Sequence, residues 1–199
     1  MKKLVIASNN PGKLREIGQI LEPFAFEVLP QSAFNIPEAD EPYCTFIENC
    51  LAKARHASAH SGLPALADDS GLCVDALNGA PGVHSARFAG EPKSDERNNA
   101  KLLELLEGRP ERGAHYYCVM ALVRYPEDPQ PLIAEGVWRG EIMAAPRGAG
   151  GFGYDPLFLI PDRGQTAAEL PAEFKNRVSH RGQALRALVE KLRGVRSEE

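Results

Sequence analysis

Apolar residues in this chain fall into short runs separated by polar turns, and the spacing inside each run decides between strand and helix. Lys3 to Ala7 and Glu27 to Leu29 read as strands. Between them Leu14, Ile17, Ile20 and Leu21 recur at helical spacing, behind Asn10 as a cap and Pro11 at the first helical position. Thr45-Phe46-Ile47-Glu48 is a capping box that opens a helix to about Ser61, closed by Gly62. Ala65 to Ala67 reads as a short buried strand that ends before Asp68 and Asp69, and Leu72 to Leu77 as a second weak run. Ser94 caps a helix through Leu106, with Gly108 as its stop. His115 to Arg124 is apolar on both alternating faces across its middle, so helices are expected above and below the sheet. Leu132 to Ile142 reads as a strand broken by Gly136 and Gly140 and expected to be twisted or bulged. Leu157 to Ile160 returns as a strand, and a last helix runs from a Ser179 cap to about Leu192. Strands and helices mixed in this way define an α/β chain.

Composition narrows the class. The 199 residues suffice for one substantial core or two lobes sharing a sheet. A formal charge of -4 argues against a general nucleic-acid binder, which needs a basic face. No apolar run approaches the roughly 18 residues that span a bilayer. The opening run, Leu4 to Ala7, is far shorter than a signal-peptide core, so a cytoplasmic protein is expected. The four cysteines form no C-x-x-C pair and are expected as reduced, mostly buried thiols.

Candidate chemistry sits at the turns. Ser8, Asn9, Asn10, Pro11, Gly12 and Lys13 link a strand to a helix start, where backbone N–H groups and the helix dipole favour an anion and Lys13 adds a full charge. The P-loop spacing is absent. Asp68 and Asp69 precede Ser70-Gly71, so a carboxylate just past a strand end is placed to hold a divalent cation or aim a water. The same residues also suit a hairpin turn, and the segment alone leaves both readings open. Asn49 and Lys53 share a helix face, which reads as solvent-facing, and the acidic loop at Glu38, Asp40 and Glu41 as solvated surface. Pro146 to Pro156 is a glycine-dense loop in which Phe152 and Tyr154 are placed to lie against a flat ring. His180 and Arg181 put positive charge at a helix start, with Lys175 just upstream, against the dipole, which favours an anionic or acceptor-rich ligand there. His56 and His60 have metal-pair spacing without a nearby third ligand.

Taken together, Ser8 to Lys13, Thr45 to Asn49 with Lys53, Ala67 to Leu72, Gly150 to Pro156 and Ser179 to Arg181 occur in an order that resembles the inosine-triphosphate pyrophosphatase family, across Leu4 to Leu192. The resemblance implies a long mixed, twisted sheet flanked by helices, a single domain over residues 1–199 with two lobes and a central nucleotide cleft, and a homodimer. It implies a Mg²⁺-dependent hydrolase of deaminated purine triphosphates, with no direct nucleic-acid or membrane partner. Ser8 to Lys13 would hold the triphosphate, Asp69 would be general base and metal ligand, Glu41 would help hold Mg²⁺ and Lys53 would face the phosphates. Ser70 would touch substrate, and Phe152, Gly153, Tyr154, Asp155, Lys175, His180 and Arg181 would receive the base. Pro42-Tyr43 stands where the family usually has Thr-Gly, which leaves Glu41 less securely placed than Asp69.

Overall fold

The computed structural model describes residues 2–196, apart from the side chains of residues 16, 195 and 196. The strands are β1 (Lys2–Ile6), β2 (Phe26–Pro30), β3 (Ala65–Val74), β4 (Gly113–Val123), β5 (Leu132–Ile142), β6 (Phe158–Ile160) and β7 (Gln165–Thr166). The helices are α1 (Pro11–Leu21), α2 (Phe46–Ser61), α3 (Asp95–Leu105), α4 (Ala172–Val178) and α5 (His180–Arg196). The strands form one seven-stranded sheet in the order β2-β1-β3-β4-β5-β6-β7. It is mixed, as expected: β1 runs parallel to β2 and β3, while β6 is antiparallel to β5 and β7. No helix among the described residues is long and apolar enough to cross a membrane.

The chain gathers into two compact units, Met1–Asp69 with Cys118–Gly136 and Ala184–Glu199, and Ser70–Tyr117 with Val137–Gln183. In the first, Leu4, Ile6, Leu66, Cys118, Met120 and Leu122 alternate along their strands and pack with Ile17 and Leu21 of α1 and Leu185, Leu188 and Val189 of α5. The residues between them, Val5, Ala65, Ala67, Val119, Ala121 and Val123, are buried as well. There α2 supplies the cover, its Cys50 Sγ donating to the carbonyls of Ala67 and Val119. Helices on both faces make this part of the sheet read as nearly continuous apolar runs, as β4 does. In the second unit Leu72, Val74, Leu102, Leu106, Trp138, Leu157 and Phe158 form the core, with Tyr116 among them.

Helix starts follow the sequence closely. Asn10, Thr45 and Ser94 cap α1, α2 and α3 with their side chains. Glu48 differs from the capping-box expectation: it receives the Thr45 hydroxyl, at 2.5 Å.

Two expectations are corrected. The strand at Ala65 does not end before Asp68; β3 continues to Val74 and both carboxylates lie within it. Burial keeps it extended, because Leu72 and Val74 are as fully enclosed as Leu66. Strand β5 is unbroken. Gly140 is there for proximity, since a Cβ would fall 2.5 Å from the Leu159 carbonyl and 2.7 Å from the Phe158 ring on β6. Helix α4 had no expectation, because its apolar pattern is a single four-residue step, Phe174 and Val178, both packed against the second core.

The turn between β4 and β5 is fixed by one carboxylate. Asp128 accepts from the Arg124 amide (2.9 Å), the Arg124 guanidinium and the Gln130 amide (2.9 Å). The Arg124 hydrogen bond holds its carboxyl well below the usual aspartate range. A carboxylate with a depressed folded-state pKa adds stability above about pH 4, the ordinary aspartate value, and that contribution is lost as pH falls through the depressed value. Asp128→Ala should cost about 1–2 kcal/mol at neutral pH, because the Arg124 side chain remains in water. Urea denaturation at pH 7 and pH 3 checks it: the gap between variant and wild type should narrow at the lower pH.

Candidate active site

Strand alternation and two helices build a charged cluster in the first unit. Asp68 shares its face of β3 with Leu66, the face that packs on α1, and Asp69 shares the other with Ala67. Each carboxylate meets a lysine from a different helix. Lys13 of α1 donates to both Asp68 oxygens, at 2.9 and 2.8 Å. Lys53 of α2 reaches Asp69 Oδ1 at 3.0 Å and Glu41 Oε1 at 2.8 Å, so one ammonium bridges two carboxylates.

The electrostatics follow from burial. Burial pushes the Asp69 carboxyl above its ordinary range; Lys53 pulls it back, and Glu41 and Asp68 push it further up. Burial works against the charge on Lys53, but Asp69 and Glu41 outweigh it and hold the ammonium above its usual value.

Asn49 explains how Glu41 is placed despite Pro42-Tyr43. It is buried at 1% exposure, not solvent-facing as expected, and it grips the Tyr43 backbone twice. Its Oδ1 accepts from the Tyr43 amide and its Nδ2 donates to the Tyr43 carbonyl, both at 3.0 Å. The segment after Glu41 is therefore pinned to α2, the helix that carries Lys53.

The strand-to-helix turn differs from the open cradle expected. The Asn10 side chain accepts from the amides of Gly12 (2.9 Å) and Lys13 (3.3 Å), and Pro11 has no N–H. The Asn10 amide donates to Ser8 Oγ, and Asn9 Oδ1 accepts from the Ser32 amide. The first-turn amides of Gly12 and Lys13 thus serve the cap, and positive charge at this turn comes from the Lys13 side chain. Ser70 follows Asp69 on β3, half-buried.

The second unit assembles the remaining predicted residues around Asp155. Its Oδ2 accepts from the Phe152 amide (2.9 Å) and from the Lys175 ammonium, and its Oδ1 from the Tyr116 hydroxyl (3.3 Å). Gly151, at φ +72°, admits this arrangement, since a Cβ there would lie 2.1 Å from Asp155 Oδ2. Phe152 is 65% exposed, with the Lys175 ammonium 4.8 Å from its ring centroid. Tyr154 is not an available flat face: it is 4% exposed, packed in the core, and its hydroxyl donates to the Ser85 carbonyl at 2.7 Å. The large ring was drawn inward because it could bury its face and still satisfy its polar tip. His180, at the start of α5, stacks on Tyr116, and Arg181 follows half-buried.

Sequence reasoning passed over several contributors. Asp95 accepts from the Gly153 amide at 2.7 Å and Asn99 donates to the Gly153 carbonyl at 3.0 Å, so two residues one turn apart on α3 hold the loop from both sides. Their i, i+4 spacing behind the Ser94 cap was the available signal. Asp68 was visible, but its pairing with Lys13 was not. On α2, His56 Nε2 lies 3.0 Å from the Pro37 carbonyl and His60 Nδ1 lies 2.9 Å from the His56 carbonyl.

The first unit thus carries lysine-bridged carboxylates, and the second an exposed ring beside a buried acid. The Ham1 family model matches residues 4–191, and the chain belongs to that family. A dITP/XTP pyrophosphatase of Nitrosomonas europaea is 64% identical over 192 residues, covering 96% of this chain and 95% of that one. Another of Aromatoleum aromaticum is 66% identical over 190 residues, covering 96% of each. Among solved structures, a HAM1 protein from Coxiella burnetii superposes with a TM-score of 0.93 at 48% identity over the whole of both chains. The resemblance read from the five motifs is thereby upheld.

Proposed function

We propose that this chain is a magnesium-dependent nucleoside triphosphate pyrophosphatase that hydrolyses dITP, ITP and XTP to the monophosphate and pyrophosphate, keeping deaminated purines out of DNA and RNA. The names of its relatives support the substrate class. The observation that carries the reading is the Lys53 ammonium set between Asp69 and Glu41.

That bridge tests whether the residues fit a divalent cation. Two carboxylates already share one cation, and hard oxygen donors suit Mg²⁺. Among the described residues no three His, Cys, Asp or Glu side chains gather to hold a metal ion. Asp69 and Glu41 would therefore supply the protein ligands, with water and the triphosphate completing the shell, as Mg²⁺ usually requires. Bound there, the ion would neutralise phosphate charge and make an attacking water more acidic.

The chain's own residues do the rest. A triphosphate brings about four negative charges, which Lys13 and Lys53 attract and orient. Asp69 aligns a water on the α-phosphorus and takes its proton, a role suited to a carboxyl raised above its ordinary range. Pyrophosphate leaves from the opposite side. His180 and Arg181 donate to the purine 6-oxygen, an acceptor in hypoxanthine and xanthine that adenine replaces with an amino donor. Phe152 covers the ring, and Lys175 and Asp155 hold Phe152 in place. Under this reading residues 1–199 form one domain with two lobes, acting as a homodimer in the cytoplasm.

A panel of ITP, XTP, GTP and ATP, run with and without Mg²⁺, tests the proposal. ITP and XTP should yield monophosphate plus pyrophosphate, ATP should react about a hundredfold or more slowly, and omitting Mg²⁺ should abolish turnover. Equal rates for ITP and ATP, or release of diphosphate and phosphate, would refute it.

A further inference from the structure

We infer that Tyr116 is a positioning residue for base discrimination, acting through His180; the inference rests on the function proposed above. Tyr116 lies on β4, and no motif of the sequence singles it out. Its ring is stacked on the His180 imidazole with centroids 4.8 Å apart and planes 11° from parallel. It is gripped from two other directions. The Phe158 ring meets it at 4.6 Å, tilted by 52°, and its hydroxyl donates to Asp155 Oδ1 at 3.3 Å.

The consequence for His180 is geometric. An imidazole swings about the bond joining it to its Cβ, a broad torsion with little intrinsic preference. A flat phenol ring parallel to it blocks that swing on one side, so Tyr116 limits the planes the imidazole can take, and with them the directions of its N–H bonds. The phenol cannot yield easily, being enclosed in the core at 8% exposure. Discrimination between an oxygen and an amino group depends on donor direction, since hydrogen bonds weaken steeply off axis.

The hydroxyl adds a second link. Asp155 Oδ2 holds the Phe152 amide and the Lys175 ammonium, and Oδ1 holds Tyr116. The loop that presents Phe152 and the helix start that presents His180 are thus keyed to one another through a single tyrosine. The ring covering the base and the donor reading its edge are set together, which is what a pre-organised recognition site requires.

The test is a double-mutant cycle on the ratio of kcat/KM for ITP over ATP. Tyr116→Leu removes stack and tether and should lower the ratio about tenfold or more, chiefly through the KM for ITP. Tyr116→Phe keeps the ring and its packing, and should fold even where the leucine variant does not; freed of its tether, it should lower the ratio about threefold. In a His180→Ala background neither substitution should move the ratio further. A ratio unchanged in both Tyr116 variants, or one that falls equally when His180 is absent, would overturn the inference. A wild-type enzyme that does not prefer ITP would overturn the functional reading and Tyr116's role with it, whereas a preference that survives both substitutions overturns only Tyr116.

Discussion

Replacing Asp69 by asparagine is expected to cut turnover of ITP by about two orders of magnitude or more while leaving nucleotide binding within about threefold. The amide keeps the shape and one acceptor for Lys53, so the lysine remains between two oxygens, but it cannot take a proton from water. The same substitution should move the melting temperature at pH 7 little, because two effects of opposite sign meet there. A carboxyl whose folded pKa exceeds its unfolded value favours folding only while protonated, and that contribution is lost as pH climbs through the folded value, a cost the neutral amide is spared. Against this, the amide gives up the charge that helps hold the Lys53 ammonium above its usual value. In activity the sign reverses, since the base must be ionised; kcat/KM should fall as pH drops and Asp69 takes up a proton. Single-turnover hydrolysis, equilibrium binding of ITP and a thermal melt measure the three quantities. A variant with parental turnover removes Asp69 from the chemistry.

Asp155→Ala should be the most destabilising of the single changes considered, by about 3–5 kcal/mol. Removing this buried acid strands the Lys175 ammonium, whose side chain is only 14% exposed, and leaves the Phe152 amide and the Tyr116 hydroxyl without their acceptor. For a chain of this size the loss corresponds to a fall in melting temperature of roughly 10 °C. Asp155→Asn keeps one acceptor oxygen, enough for the Phe152 amide, and turns its NH2 to the Tyr116 hydroxyl, which can accept from it, so it should fall between alanine and wild type. A loss below about 1 kcal/mol for the alanine variant would mean that Lys175 has another outlet and that Asp155 is not the hub described.

Local signals carried most of the fold. Asn10, Thr45 and Ser94 cap helices where their hydroxyl or amide chemistry places them, and the two-sided apolar run of β4 lies under helices on both faces. What was illegible depended on partners distant in sequence. Nothing near Asn49 says that its amide will meet the Tyr43 backbone, and nothing near Gly140 says that a phenylalanine on β6 will press against it. Tyr154 and Phe152 look alike as loop aromatics; only the Ser85 carbonyl, 69 positions away, decides which one turns inward. The candidate site divides similarly. Lys13, Lys53 and Asp69 were legible as charges near turns, but which lysine would meet which acid was written in the alternation of an uninterrupted strand.

That alternation ties chemistry to hydrophobic register. Strand β3 docks on β1 with Val5 opposite Ala65 and Ile6 opposite Leu66. Sliding β3 by a single position would turn Leu66 out of its core, and would also hand each acid to the wrong helix, Asp68 toward Lys53 and Asp69 toward Lys13. The packing that stabilises the sheet thus doubles as a proofreader of the charge arrangement: a misaligned strand is penalised in greasy contacts before its acids can settle against the wrong amines.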